Sequence, residues 1–220
     1  MSGLDPMNDR HPGWDLALRL GLGARGEAVV RFLDDRQARK MKRAGSTYSV
    51  AAAAAGQSEE ELFELIGNGD ERLGDMFEET LEAATKTPWE AKLEVLGRAL
   101  AMAVTAEDDA EIDHAQLLQR AVADLEPIHA RALWLLGQRD KLNPGQPDGI
   151  EGLLSKVFPN MAPVASQVVA VLTRHGLVSE PFYANGVIGL SPLGREILQL
   201  LVEAGGLDVA LVGESPEVNE

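Results

Sequence analysis

Apolar residues recur every three to four positions along most of this chain, the period of a helix with one buried side. From about Arg25 to Ala44 the apolar positions are Val29, Val30, Leu33 and Met41, with Gly45 as the expected stop. The alanine-rich stretch from Ser46 to Gly56 suits a further helix. Ser58 and Glu61 have capping-box spacing and predict a helix through Ile66, ended by Gly67. Asp70 to about Lys86 places Leu73, Met76, Phe77, Leu81 and Ala84 on one side, with Glu78, Glu79 and Glu82 solvated on the other. Thr87-Pro88-Trp89-Glu90 reads as cap, first-turn proline and third-position glutamate ahead of the stripe Leu93, Leu96, Leu100, Val104. An acidic break from Thr105 to Glu111 precedes a helix from Ile112 to Leu125, with Leu117, Leu118 and Val122 apolar. Pro127 opens the next helix, carrying Ile128, Leu133, Leu135 and Leu136.

The pattern then shortens. Lys141 to Gly149 holds two prolines and two glycines and predicts a loop. Asp148 caps a short helix whose apolar side is Leu153, Leu154, Val157 and Phe158, and Pro159-Asn160 stops it. A second helix is expected from Ala162 to His175, through Val164, Val168, Val171 and Leu172, with Gly176 as its C-terminal glycine. Leu177 to Tyr183 and Val187 to Leu190 are strand-like, and Asn185-Gly186 between them is the strongest short hairpin signal, because both central residues of a type I′ turn need positive φ. Ser191-Pro192 restarts a helix buried through Leu193, Ile197, Leu200 and Leu201.

The stretch from Ala162 through Gly189-Leu190-Ser191-Pro192-Leu193-Gly194-Arg195-Glu196 resembles bacterial winged-helix (winged helix-turn-helix) proteins. In that superfamily a run of leucine, serine or threonine, proline, any residue and glycine follows the wing and opens the closing helix. The resemblance covers under half of the chain, and its motif is structural. A helical domain with one exposed hairpin is the other arrangement the pattern allows. The segment Thr85 to Leu136 resembles uncharacterised bacterial helical proteins, some of them near phage-related or defence genes, through a helical pattern without chemical residues. The expected fold is mainly α, an N-terminal helical domain followed by a C-terminal winged-helix domain with one β-hairpin. The expected boundaries are a loose leader over 1–13, an acidic helical domain over 14–126 opening on a short helix from Trp14 to Gly23, the winged-helix domain over 127–204, and a tail over 205–220.

Composition narrows the function classes. The 220 residues hold no cysteine, which excludes disulfides and thiolate metal sites. No apolar run approaches the roughly 20 residues that cross a bilayer, so no membrane partner and a cytoplasmic location are expected. The net charge of −15 repels a phosphate backbone at long range and weighs against unspecific nucleic-acid binding. One dense basic stretch stands against it: Arg36, Arg39, Lys40, Lys42 and Arg43, with no acid among them. Either these charges complement a helix C-terminus, each by roughly 0.3–1 kcal/mol, or they contact phosphates.

Nothing points to catalysis, a metal or a cofactor, and a non-enzyme is expected. The histidines His11, His114, His129 and His175 form no metal-binding pair, and Asp113-His114 near Glu111 lacks a shared helix face. Gly21-Leu22-Gly23-Ala24-Arg25-Gly26 matches the dinucleotide fingerprint by letters but follows no strand. Two functions remain. In a DNA-binding regulator, expected as a homodimer, the helix from Ala162 to His175 enters the major groove and presents Ser166, Gln167, Ala170, Thr173 and Arg174. Gln167 would bond an adenine, Ser166 and Asn160 would reach phosphates, and Arg36 to Arg43 would have to contribute, because residues 127–220 hold 6 basic and 10 acidic residues, a net of −4. In a protein-interaction or assembly module without DNA binding, Val164, Phe182, Tyr183 and Val187 would form the interface.

Overall fold

The computed structural model describes residues 24–138, 150–179 and 189–207. Over these residues the fold is mainly helical. The helices are α1 (Ala24–Ala55), α2 (Glu59–Asn68), α3 (Glu71–Lys86), α4 (Glu90–Val104), α5 (Asp109–Asp124), α6 (Pro127–Gly137), α7 (Ile150–Val157), α8 (Ala165–Arg174) and α9 (Pro192–Glu203). A 3-10 turn (Pro159–Val164) joins α7 to α8, and two short strands, β1 (Val178–Ser179) and β2 (Gly189–Leu190), lie between α8 and α9. The predicted helix from Trp14 to Gly23, the loop from Lys141 to Gly149 with the Asp148 cap, and the Asn185-Gly186 turn lie outside the described residues, as do Phe182, Tyr183 and Val187.

Helix α4 is apolar almost all round and is buried accordingly, with Val95, Leu96, Ala99 and Leu100 wholly enclosed. It is packed by α1, α3, α5 and α9. The crossing with α1 needs Gly97, since a Cβ there would stand 2.6 Å from the Thr47 carbonyl oxygen. This crossing also explains why Gly45 does not end α1 as its position predicts. An interior glycine costs about 1 kcal/mol relative to alanine. The run Ala51–Ala55 favours helix, and burial of Ala44, Thr47, Ala51 and Ala52 outweighs the glycine. The helix stops instead at Gly56, whose φ is +69°. The predicted alanine-rich helix is therefore the inner half of α1. Its outer turns, residues 31–43, are mostly exposed, Met41 included.

Local signals set most of the other boundaries. Ser58 and Glu61 form both halves of the capping box, at 3.1 and 2.8 Å, and α2 runs one residue past Gly67. Asp70 caps α3 through the Arg72 N–H at 2.9 Å. Thr87 does not cap α4 as the spacing predicts. Its hydroxyl accepts from the Trp89 N–H at 3.1 Å, a local turn, and the helix starts at Glu90. Asp108 caps α5, so that helix starts three residues before the predicted Ile112. Leu117, expected on the buried side of α5, is 58% exposed because Leu118, Ala121 and Val122 take the inner face.

The interior continues without a gap from Ala51 and Val95 through Leu133 and Leu154 to Ile197 and Leu201. The single helix predicted from Ala162 to His175 is two elements. Pro163 has no N–H to donate, so the chain makes a 3-10 turn over Pro159–Val164 before α8 begins at Ala165. Gly176, at φ +63°, closes α8, with the Leu177 N–H donating to the Leu172 carbonyl at 2.9 Å. Val178 pairs with Leu190 and Ser179 with Gly189 in antiparallel register. Ser191 caps α9 through the Gly194 N–H at 2.9 Å. Gly194 allows that helix to start against the chain entering β1, where a Cβ would fall 2.0 Å from the Leu177 carbonyl oxygen.

Candidate interaction surfaces

Helix α8 is amphipathic, with Ala165, Val168 and Leu172 buried. The same spacing turns Ser166, Gln167, Ala170, Thr173 and Arg174 to solvent, as the sequence predicts. Asn160 is exposed on the preceding 3-10 turn, and Val164, expected at a buried spacing, is 40% exposed at its end. The Ser166 hydroxyl donates to Gln167 Oε1 at 3.1 Å. Arg174, the one arginine of this helix, lies 3.5 Å from the Asp124 carboxylate at the end of α5. Asp124 also meets His175 Nε2 at 2.9 Å. The open face of α8 is thus neutral and polar, and its cation is shared with an acid of another helix. Of the alternative interface set, Val164 alone falls within the described residues.

The basic residues of α1 divide into two kinds. Arg36, Arg39, Lys40 and Arg43 follow the i, i+3, i+4, i+7 rule and share one stripe, while Lys42 stands beside it. Arg36, Arg39 and Lys42 are exposed and make no ion pair with a described residue. Arg43 is half-buried, and its guanidinium donates to the carbonyls of Thr87 at 2.8 Å and Thr85 at 3.4 Å, closing the end of α3. Arg39, Lys42 and Arg43 line a groove of about 560 Å³ against Pro88, Glu90 and Glu94. Of its two acids, Glu94 is bound by Arg98 at 2.6 Å.

A second cleft, of about 470 Å³, separates this groove from α8. Its walls alternate in sign, with Lys86 held by Glu82 at 2.6 Å, Asp124 held as above, and Glu126 near the buried Lys92 at 3.8 Å. The basic stripe and the α8 face are therefore not joined by a run of positive charge. Lys92 is 3% exposed, and its ammonium donates to the carbonyls of Ala123 and Leu125 at 2.7 Å each. Burial pushes its pKa below the ordinary lysine value, against the opposing pull of Glu126 and Asp124. His129 Nδ1 accepts the Glu126 N–H at 2.9 Å, and burial likewise lowers its pKa. Sequence reasoning missed Asp124 and Lys92. Lys92 leaves one signal, a lysine one turn before Leu96 on the buried side of α4; Asp124 leaves none, because its partners lie about 50 residues on.

Among the described residues no group of histidines and acids has the arrangement of a metal site, and no helix is long and apolar enough to cross a membrane. Comparison of the chain with protein-family models, with curated proteins and with solved structures finds no match.

Proposed function

We propose that residues 127–204 form a winged-helix unit and that it serves as a protein-binding module. The order helix, turn, helix, paired strands, helix supports the first part. The observation that carries the second is the outward face of α8: Ser166, Gln167, Ala170 and Thr173 are neutral, and Arg174 is engaged by Asp124. Phosphate neutralisation supplies most of the affinity of a DNA-binding helix, and this face offers almost none. A neutral polar face edged by an exposed Val164 suits a packed protein contact, where few residues carry the affinity. No catalytic step enters this reading. A photo-reactive residue placed at Thr173 is expected to yield a discrete protein adduct in cells, with none from the same residue at Glu111. Equal labelling at the two positions sinks the reading.

The second reading is a DNA-binding regulator. It is favoured by Arg36, Arg39 and Lys42, which are exposed and make no ion pair with a described residue, and by the exposed Ser166 and Gln167. A mobility-shift series on mixed-sequence duplex DNA, from roughly 50 to 200 mM salt, separates the two. The protein-binding reading expects no shifted complex even at the low end. A complex that weakens steeply with salt and disappears in Arg174→Ala replaces it with the DNA reading.

A further inference from the structure

The half-buried arginines of this fold take an acceptor in exchange for the water they lose. Arg43 holds the carbonyls of Thr85 and Thr87, Arg72 holds Asp70, Asp109 and Asp113, and Arg98 holds Glu94 and Glu203. Arg131, on α6, is also half-buried and breaks the pattern. Its Nε is shut away from water with no hydrogen-bond partner, and its guanidinium makes no ion pair with a described residue. A charged donor stripped of water and left unpaired is costly, and in a native structure it calls for an occupant or an ion nearby.

Arg131 lines a cleft of about 380 Å³ where the start of α4, the start of α6 and the chain beyond α9 meet. That volume lies near the lower end of the roughly 300–1,000 Å³ of ligand clefts, so the occupant is small. Pro88, Trp89, Pro127 and Leu207 give the cleft apolar walls. Gly206 lets the chain pass close to α4, since a Cβ there would stand 2.5 Å from the Ala91 Cβ and 3.4 Å from the Trp89 ring. Glu90 is the one acid among the lining residues and Arg131 the one cation; Glu90 is exposed and makes no ion pair with Arg131. One guanidinium beside one carboxylate favours a ligand of single charge, because a dianion gains no second cation and is repelled more strongly by Glu90. A carboxylate also matches the planar fork of a guanidinium. We infer that this cleft binds a small monocarboxylate whose apolar body lies along Trp89. The site shares no residue with the outward face of α8 and does not depend on what that face binds.

Titration of the full chain with acetate, hexanoate, benzoate, benzamide and inorganic phosphate tests the site, read by calorimetry and by tryptophan fluorescence. Hexanoate and benzoate are expected to bind with dissociation constants of about 1 mM or lower, acetate at least about tenfold more weakly, and benzamide and phosphate not at all up to about 10 mM. Arg131→Gln is expected to weaken benzoate binding about tenfold or more. It removes a charge that has no partner among the described residues, so the thermal midpoint should not fall. Glu90→Gln, at an exposed position, is expected to tighten benzoate binding about twofold or more as repulsion at the rim is relieved. No hexanoate or benzoate bound at about 10 mM, benzamide or phosphate bound as tightly as benzoate, Arg131→Gln with full benzoate affinity, or weaker binding in Glu90→Gln would each overturn the proposal.

Discussion

His129 occupies the second residue position after the Pro127 that opens α6, with its ring turned back to the helix start. Its Nδ1 accepts a backbone N–H, which only the neutral ring can do, with the proton on Nε2. Burial is the chief cause that lowers its pKa, and Lys92 adds to it, while Glu126 and Asp124 oppose it. The unfolded chain therefore binds a proton more readily than the folded one. Stability is full above the ordinary imidazole range and falls as pH drops through it. The urea midpoint is expected to decline between about pH 8 and about pH 5, and His129→Gln is expected to flatten that decline. The hydrogen-bonded carboxylates Glu61, Asp70 and Glu203 are held below the usual carboxylate range, so their contribution is lost at lower pH, in a separate window. At this scale the sequence is readable where partners are close. Ser58, Asp70 and Ser191 act on groups two or three positions away. Lys92 is opaque because its carbonyl partners stand over 30 residues along the chain.

Elements are legible where capping or periodicity decides them, and illegible where a tertiary crossing does. Helix α1 continues through Gly45 because α4 covers its far side, and Gly97 on α4 is the cause at the contact. The 3-10 turn before α8 was missed in favour of the apolar spacing around Val164, which Pro163 outranks at the helix start. Three glycines separate close packing from mere helix propensity. Gly97→Ala and Gly194→Ala are expected to destabilise by about 1–3 kcal/mol or more, Gly194→Ala the more strongly, since the added Cβ would overlap backbone atoms. Gly74, inside α3 with nothing within 4 Å of an added Cβ, is expected to stabilise by about 0.5–1 kcal/mol as alanine. Chemical denaturation of the three variants checks both signs. Boundaries at α4 and α5 moved by two or three residues because Thr87 and Asp108 each had a rival local bond to make.

Over the whole molecule, charge and interior point in different directions. A net charge of −15 opposes compaction, and ion pairs between helices relieve it locally: Arg72 spans Asp70, Asp109 and Asp113 and so ties α3 to α5, and Arg98 ties α4 to α9 through Glu203. The interior, by contrast, is shared by elements from α1 to α9. One cooperative unfolding transition is therefore expected, with fluorescence of the tryptophans and far-ultraviolet circular dichroism giving coincident curves. Two resolved transitions would mean that the two ends of that interior are held together less firmly than their packing implies. The mainly helical class was readable from composition and period alone; the candidate surfaces were readable as faces, since α8 turns outward the side chains its spacing predicts. What lies between the faces was not readable, because the acids that separate the basic stripe from α8 come from α3, α5 and the start of α6. The unbroken course of α1 has a mechanical result. Its inner half meets α4 at Gly97, where the Thr47 carbonyl and the Val50 side chain leave no room for a Cβ. One continuous helix from Ala24 to Ala55 thereby couples any displacement of its outer turns to the crossing with α4 beside Val50.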